Sequence, residues 1–281
     1  MFFEEKKINS WDEAKDYCNE LMKENNFWIF RGHYKSEWLL QPSLERILSK
    51  EPIDLAIESK IITEFRRRAH QYLPSNLLPG NLLEWIALMQ HYGAPTRLLD
   101  WTRSPYIAAF IAFENTYKES GDVAIWGINS KWLNEASKTI LKRNKAQQFI
   151  HPKEISDEKL VNFINADLKV IVPIEPMTMN ERLTIQQGLF LLPSGKQISF
   201  EESLSEYEPF DSKKFIKKII IPKSEGLTCL VDLNRMNINA ASLFPGLDGF
   251  ARSLKNIPDI MYANLFKETG TIFGNNWNIT P

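Results

Sequence analysis

The sequence predicts an α+β fold, and three observations carry that prediction. Apolar residues recur at helical spacing in several runs, as at Leu82, Trp85, Ile86 and Met89. Short aromatic and β-branched runs stand between them, such as Phe27-Trp28-Ile29-Phe30 and Ile219-Ile220-Ile221. No internal repeat or long linker divides the 281 residues, so one elaborated unit is expected over 1–281, with its core at 27–254.

The elements follow in order. Ser10-Trp11-Asp12-Glu13 is a capping box opening a helix whose apolar face is Trp11, Ala14, Cys18 and Leu21. Phe27–Phe30 reads as a buried strand ending in Arg31-Gly32. Pro42-Ser43-Leu44 turns into a helix. Asp54–His70 is helical by Ile57, Ile61, Ile62, Phe65 and Ala69, with Arg66-Arg67-Arg68 as its solvated face. Asn81–Gln90 is helical and Gly93 stops it. Thr96–Asp100 is expected to be extended. Ser104-Pro105 starts a helix, Ser as cap and Pro in the first turn, and its almost wholly apolar run Ile107–Ala112 predicts a central position. Gly121-Asp122 turns the chain into a strand at Val123–Ile128. Residues 130–168 read as surface helices and loops. Val170–Ile174 and Leu189–Leu192 read as strands, 199–214 as an acidic loop and Ile219–Ile221 as a strand. Ser224 is expected to cap a helix carrying Leu227, Leu230, Val231 and Leu233. The last helical region, Ala240–Leu254, is interrupted near Pro245.

Composition narrows the function classes. The chain is 43% hydrophobic and 25% charged with a net charge of -1, so nothing in the total predicts a polyanionic partner. Cys18 and Cys229 each lie in an apolar segment and read as small buried hydrophobes, which fits a reducing cytoplasm. No apolar run approaches the ~20 residues that span a bilayer, and Met-Phe-Phe-Glu-Glu-Lys-Lys lacks the order of a signal peptide. A cytoplasmic protein without membrane contact is expected. His33, His70, His91 and His151 show no metal-ligand spacing, and no phosphate-cradling glycine loop or nucleophile elbow is present.

The densest chemistry lies in Gln90–Phe113. This stretch sets His91, Arg97, Arg103, Asp100, Thr96, Thr102 and Ser104 between two apolar helical runs. Polar groups so placed must be hydrogen-bonded in the fold or used on a ligand. Two further clusters are Phe30-Arg31-Gly32 and Arg182-Leu183-Thr184-Ile185-Gln186-Gln187-Gly188.

Together with Trp38, Pro42-Ser43-Leu44 and Ser242–Gly249, the motif His-Tyr-Gly-x-Pro-Thr-Arg-Leu-Leu-Asp-Trp-Thr resembles the FRG domain family, named for its Phe-Arg-Gly strand. The resemblance runs from Phe27 to Leu254, and that family is widespread in bacteria and phages. The chain also resembles, in shorter motifs, the NAD-using ADP-ribosyltransferases. They share an aromatic-Arg/His-Gly first strand, a Ser/Thr strand entering an apolar helix, and a late strand bearing an acid or Gln. Phe30-Arg31-Gly32, Thr96–Thr102 with Ser104-Pro105, and Gln186-Gln187-Gly188 stand in that order. This implies an ADP-ribosyltransferase-like split β-sheet core with several packed helices, and NAD as substrate.

On that resemblance the expected catalytic residues are Arg31, His91 and Gln186. The expected NAD-binding residues are Arg31, Gly32, Tyr92, Thr96, Arg97 and Ser104. Arg31 would pair bidentately with a phosphate, and Gly32 would let the backbone approach the nicotinamide. Ser104 marks a helix N-terminus able to hold an anion. Tyr92 or Trp101 would stack on a ring, and His91 would orient a ribose hydroxyl or move a proton. Gln186 brings no charge where protein-modifying transferases usually carry Glu, so another acid is needed, and Asp100 and Glu181 are the nearest candidates.

Structural roles compete with each of these. Arg31 could be held by Asp100, and Arg97 and Asp100 could pair within the turn. Thr96 could satisfy its own turn, Thr102 and Ser104 could be caps, and Trp101 could be core. Two function classes therefore stay open. One is an NAD-using transferase or NAD glycohydrolase of bacteria or phage, a toxin or phage-defence effector, with a protein or nucleic-acid acceptor. The other is a non-catalytic module that binds a nucleotide or a protein in the same pocket.

Overall fold

A computed structural model describes residues 1–24, 27–48, 55–115, 119–146, 156–166, 168–195 and 199–255. His151 and parts of the polar stretch after residue 146 lie outside these residues. The chain begins with β1 (Glu4–Lys7), α1 (Trp11–Glu24), β2 (Trp28–His33), α2 (Ser43–Leu48) and α3 (Leu55–Ala69). It continues through α4 (Leu82–His91), β3 (Leu99–Thr102), α5 (Pro105–Phe113), β4 (Asp122–Asn129) and α6 (Ser130–Arg143). Next come α7 (Asp157–Asn165), β5 (Ile171–Ile174), α8 (Glu181–Ile185), β6 (Gly188–Pro193) and α9 (Phe200–Ser205). Last are α10 (Ser212–Phe215), β7 (Ile216–Pro222), α11 (Gly226–Arg235), α12 (Ala240–Leu243) and α13 (Leu247–Ser253).

The seven strands form one mixed sheet in the order β1-β7-β4-β2-β3-β6-β5. β1 runs parallel to β7 and every other pair is antiparallel. Successive side chains of a strand point to opposite faces, which sorts the core into layers. Trp28, Phe30, Val123, Ile125, Ile219 and Ile221 pack under α1, α5, α11 and α12. Ile29, Leu99, Trp101, Ala124, Trp126 and Ile128 pack on the other face against Leu133 and Ala136 of α6 and Phe200 and Leu204 of α9. A third cluster joins α4, α7 and α8 to Val172, Phe190 and Leu192 of the β5–β6 end.

Helix α5 is central, as its apolar run predicts. Ser104 Oγ accepts from Ile107 N at 3.3 Å, with Pro105 in the first turn. Ile107, Ala108, Phe110, Ala112 and Phe113 are all buried, each large side chain contributing about 1.5–3 kcal/mol. Its close seat on β2 depends on Gly32, where a Cβ would lie 2.0 Å from Ala108 O and 2.8 Å from Ala112 N. Gly32→Ala is therefore expected to lower stability by about 1–3 kcal/mol or more, by forcing α5 off the sheet. A urea-unfolding midpoint equal to that of the parent would show that the packing is looser than this.

Several expectations are corrected. β2 does not end at Arg31-Gly32 but runs on to His33, so Arg31 and Gly32 lie within the strand and on opposite faces. β1 has no counterpart in the sequence reading: its Glu-Glu-Lys-Lys is exposed throughout and carries no apolar alternation. Residues 199–214 are not a loop, because Phe200, Leu204 and Tyr207 bury against the sheet and fold the segment into α9, a 3-10 turn and α10. Ser224 caps nothing; it sits in a 3-10 turn before α11. Gln186 is not on a strand but ends α8, ahead of Gln187 at φ 47° and the start of β6. No described helix is long and apolar enough to cross a membrane.

Candidate ligand cleft

The polar residues of Gln90–Ser104 divide between the fold and a cleft. Arg97 is fully buried. Its Nε donates to Glu58 Oε1 at 2.8 Å, its Nη2 pairs with Glu58 Oε2, and its Nη1 donates to Pro193 O and Gly195 O at 3.1 and 3.3 Å. It does not pair with Asp100, a correction to that expectation, and its guanidinium is bonded within the fold. Thr96 is buried too. Its Oγ1 donates to Gln90 Oε1 and accepts from Leu98 N, while its backbone N donates to Ser43 Oγ at 3.0 Å. Thr102 Oγ1 donates to Gln186 O at 2.7 Å and accepts from Ser104 N at 3.0 Å, which fixes the β3–α5 turn against the end of α8. Ser104 is committed to its cap. Trp101 is core. The missing Cβ of Gly32 is required by the close packing of α5.

Asp100 is the exception. It is exposed on β3 between buried neighbours, and Gln90 Nε2 donates to its Oδ2 at 2.6 Å. Gln90 thus holds Thr96 through one end of its amide and Asp100 through the other. With Gln90, His91, Asn180, Arg182, Leu183 and Gln186, Asp100 lines a small cleft of about 40 Å³ between α4, β3 and α8. His91 is the last residue of α4, which Gly93 at φ 78° stops. Burial lowers the His91 pKa, and Arg182 lowers it further, so the imidazole is neutral at neutral pH. Gln186 Nε2 donates to Leu243 O at 3.0 Å, which orients the amide.

The cleft shares Ala87, His91 and Asn180 with a larger groove of about 590 Å³, whose lining includes Leu77, Leu88, Tyr92 and Met179. Tyr92 is exposed there rather than in the polar cleft. A third groove of about 760 Å³ runs along α3 past Tyr72 and Tyr92. It is the largest of the three but almost wholly apolar, and its Glu64 is paired with Arg67 and Arg68.

Arg31 does not line the cleft. Strand alternation turns it to the face of Ile29 and Trp101, away from the Asp100 side chain. Its Nη1 donates to Asp100 O at 2.7 Å and its Nε to His33 Nε2 at 3.2 Å. The contact with Asp100 is thus through the main chain. Here β2 and β3 share a single register pair, Phe30 with Thr102, whereas β2 and β4 share six. Arg31 bridges the strands where their own ladder stops. Burial holds the His33 pKa down to about 3, with the Arg31 charge adding to it. His33 is therefore a neutral acceptor for Arg31.

On the same face Glu45 accepts from Phe200 N at 3.1 Å and Gln41 Nε2 at 3.2 Å, and Glu201 accepts from Leu40 N at 2.9 Å. Burial pushes the Glu45 carboxyl up to about 7 from 4.5. The unfolded chain then releases this proton at lower pH than the folded one, so stability is expected to fall as pH rises from about 4.5 to about 7. Glu45→Gln should flatten that limb of the stability–pH curve, and an unchanged curve would remove Glu45 as its source.

Residues 26–121 match the FRG domain family model. The chain contains an FRG domain. The match is shorter than the resemblance read from the sequence and stops at Gly121, before β4 begins. It therefore brings only β2 and β3 of the seven strands, with α2 to α5. Neither the curated proteins nor the solved structures gave a match. The FRG segment supplies Gln90, His91 and Asp100 to the cleft, whereas Asn180, Arg182 and Gln186 come from beyond it.

Among the expected site residues, His91 and Gln186 share the cleft, while Arg31, Gly32, Tyr92, Thr96, Arg97 and Ser104 lie outside it. Glu181 does not line it either. Sequence reasoning did not single out Gln90, Asn180 or Arg182 as site residues. Gln90 read as the end of a helix and Arg182 as the start of a motif. No cluster of three His, Cys, Asp or Glu able to hold a metal occurs among the described residues.

Proposed function

We propose that this cleft and the groove beside it bind NAD as a substrate, and that the protein is an ADP-ribosyltransferase-like enzyme. The carrying observation is that Asp100 stands in one cleft with His91 and Gln186. A carboxylate thereby supplies the charge that Gln186 lacks. At about 40 Å³ the polar cleft takes only single polar groups of the dinucleotide beside the reacting bond, such as a ribose hydroxyl or a phosphate oxygen. The larger groove by Tyr92, Leu88 and Met179 takes the remainder.

In this reading the glycosidic bond between the ribose C1′ and nicotinamide breaks, and nicotinamide leaves with the bonding pair as a neutral molecule. The sugar becomes an oxocarbenium ion, which the Asp100 carboxylate stabilises. Gln186, its nitrogen held by Leu243 O, offers Oε1 to a ribose hydroxyl. Water or an acceptor group on a protein or nucleic acid then attacks C1′, and neutral His91 takes its proton. A toxin or phage-defence role rests on the family resemblance alone.

The test is incubation of the full chain with labelled NAD, with and without bacterial extract. Nicotinamide release or label transfer is expected, and neither would appear if the protein were no enzyme. A second reading, a non-catalytic nucleotide-binding FRG module, is favoured by Arg31 being engaged away from the cleft. Saturable NAD binding without nicotinamide release would select it.

A further inference from the structure

We infer that Arg182 is the anion anchor of the cleft and takes a phosphate-type oxyanion of the ligand. Four arginines among the described residues are not exposed: Arg31, Arg97, Arg182 and Arg252. Arg31 is bonded to Asp100 O and His33, Arg97 to Glu58, and Arg252 to both oxygens of Glu114. The Arg182 side chain has no hydrogen bond or ion pair among the described residues. Its contact is the ring of Phe244, 4.7 Å from the guanidinium carbon.

A guanidinium whose N–H groups have no acceptor in the protein and lie at a cleft is free to bond a ligand there. Arg182 lines the cleft together with Asp100 and His91, so the place for that ligand is defined. Burial lowers the Arg182 pKa; the negative charge of Asp100 opposes this and the nearby Arg252 adds to it. A bound oxyanion would remove that penalty. The planar fork matches two oxygens of a phosphate. The Phe244 ring, which also meets Arg252 at 4.1 Å, contacts the guanidinium without taking its N–H groups, so these are left for the ligand.

The cleft then presents a fixed positive and a fixed negative group side by side. That suits a ligand carrying a phosphate next to a cationic or hydroxylated sugar. The inference rests on the reading above for the position of the ligand, but not on bond cleavage.

Titration calorimetry on the full chain with inorganic pyrophosphate and with ADP-ribose tests it. Binding of both is expected, weakened at least tenfold in Arg182→Gln, which keeps a stem against Phe244, and less in Arg182→Lys, which keeps charge without the fork. Circular dichroism establishes that the variants are folded. Unchanged pyrophosphate affinity in folded Arg182→Gln would overturn the anchor, as would malonate binding as tightly as pyrophosphate. NAD left intact while pyrophosphate binds through Arg182 would discard cleavage and keep the anchor. NAD cleaved by Arg182→Gln with unchanged KM would discard the anchor and keep cleavage.

Discussion

Asp100→Asn is expected to lower nicotinamide release by about 10²–10³-fold, with little change in the binding of NAD or in stability. Asparagine has the same shape, and its side-chain oxygen can still accept from Gln90 Nε2, which now holds the carboxylate at 2.6 Å. What is lost, in the proposed reaction, is the negative charge that would stabilise the sugar cation. Because charge develops at C1′ only as the bond to nicotinamide breaks, kcat should fall while KM moves little. Asp100 is exposed, so its replacement leaves no buried group unpaired. The measurement is steady-state release of labelled nicotinamide by folded Asp100→Asn. A rate equal to the parent's would falsify the assignment of Asp100 as the stabilising acid and return the cleft to a binding role.

The second large effect concerns stability. Glu58→Ala should destabilise the fold by about 3–5 kcal/mol, because it strands the buried Arg97 charge. Arg97 is 0% exposed and two of its three nitrogens are satisfied by Glu58 alone. Pro193 O and Gly195 O serve only the third. The pair ties α3 to the start of β3 and the end of β6, so its loss frees three elements together. Urea unfolding followed by tryptophan fluorescence measures this. Replacing both partners, as Glu58→Leu with Arg97→Met, should recover much of the loss, since an apolar pair needs no solvation. A loss below 1 kcal/mol in Glu58→Ala would mean that water reaches Arg97.

How far the sequence could be read depends on what each signal measures. Ser104-Pro105 and the apolar run after it located α5, since a cap and a burial pattern are local properties. His91 and Gln186 were identified as polar groups needing partners, and both reach the cleft. Arg31 was placed at a strand end because the aromatic run before it stops. Side-chain alternation then turned it to the other face, and its partner became a carbonyl on a neighbouring strand. Arg97 and Asp100 looked like a local pair three residues apart, whereas Glu58, 39 residues away, wins Arg97. Arg182 reads along the chain only as the start of a polar cluster, because the absence of a partner is not a sequence property. β1 was invisible since an exposed edge strand of charged residues has no apolar period.

The sequence by itself determined the α+β class, the main helices with their caps, the buried thiols, and the FRG motif whose polar residues demand an explanation. These follow from periodicity and residue chemistry over a few positions. Only the tertiary structure decided which of those polar residues are consumed by the fold and which line an open cleft. Thr96, Arg97 and Ser104 were consumed, while His91, Asp100, Arg182 and Gln186 were brought to one cleft from segments about 90 residues apart. The reason is physical: a hydrogen bond or an ion pair is satisfied by whatever atom the packing of helices on the sheet places within reach, and sequence separation does not enter that competition.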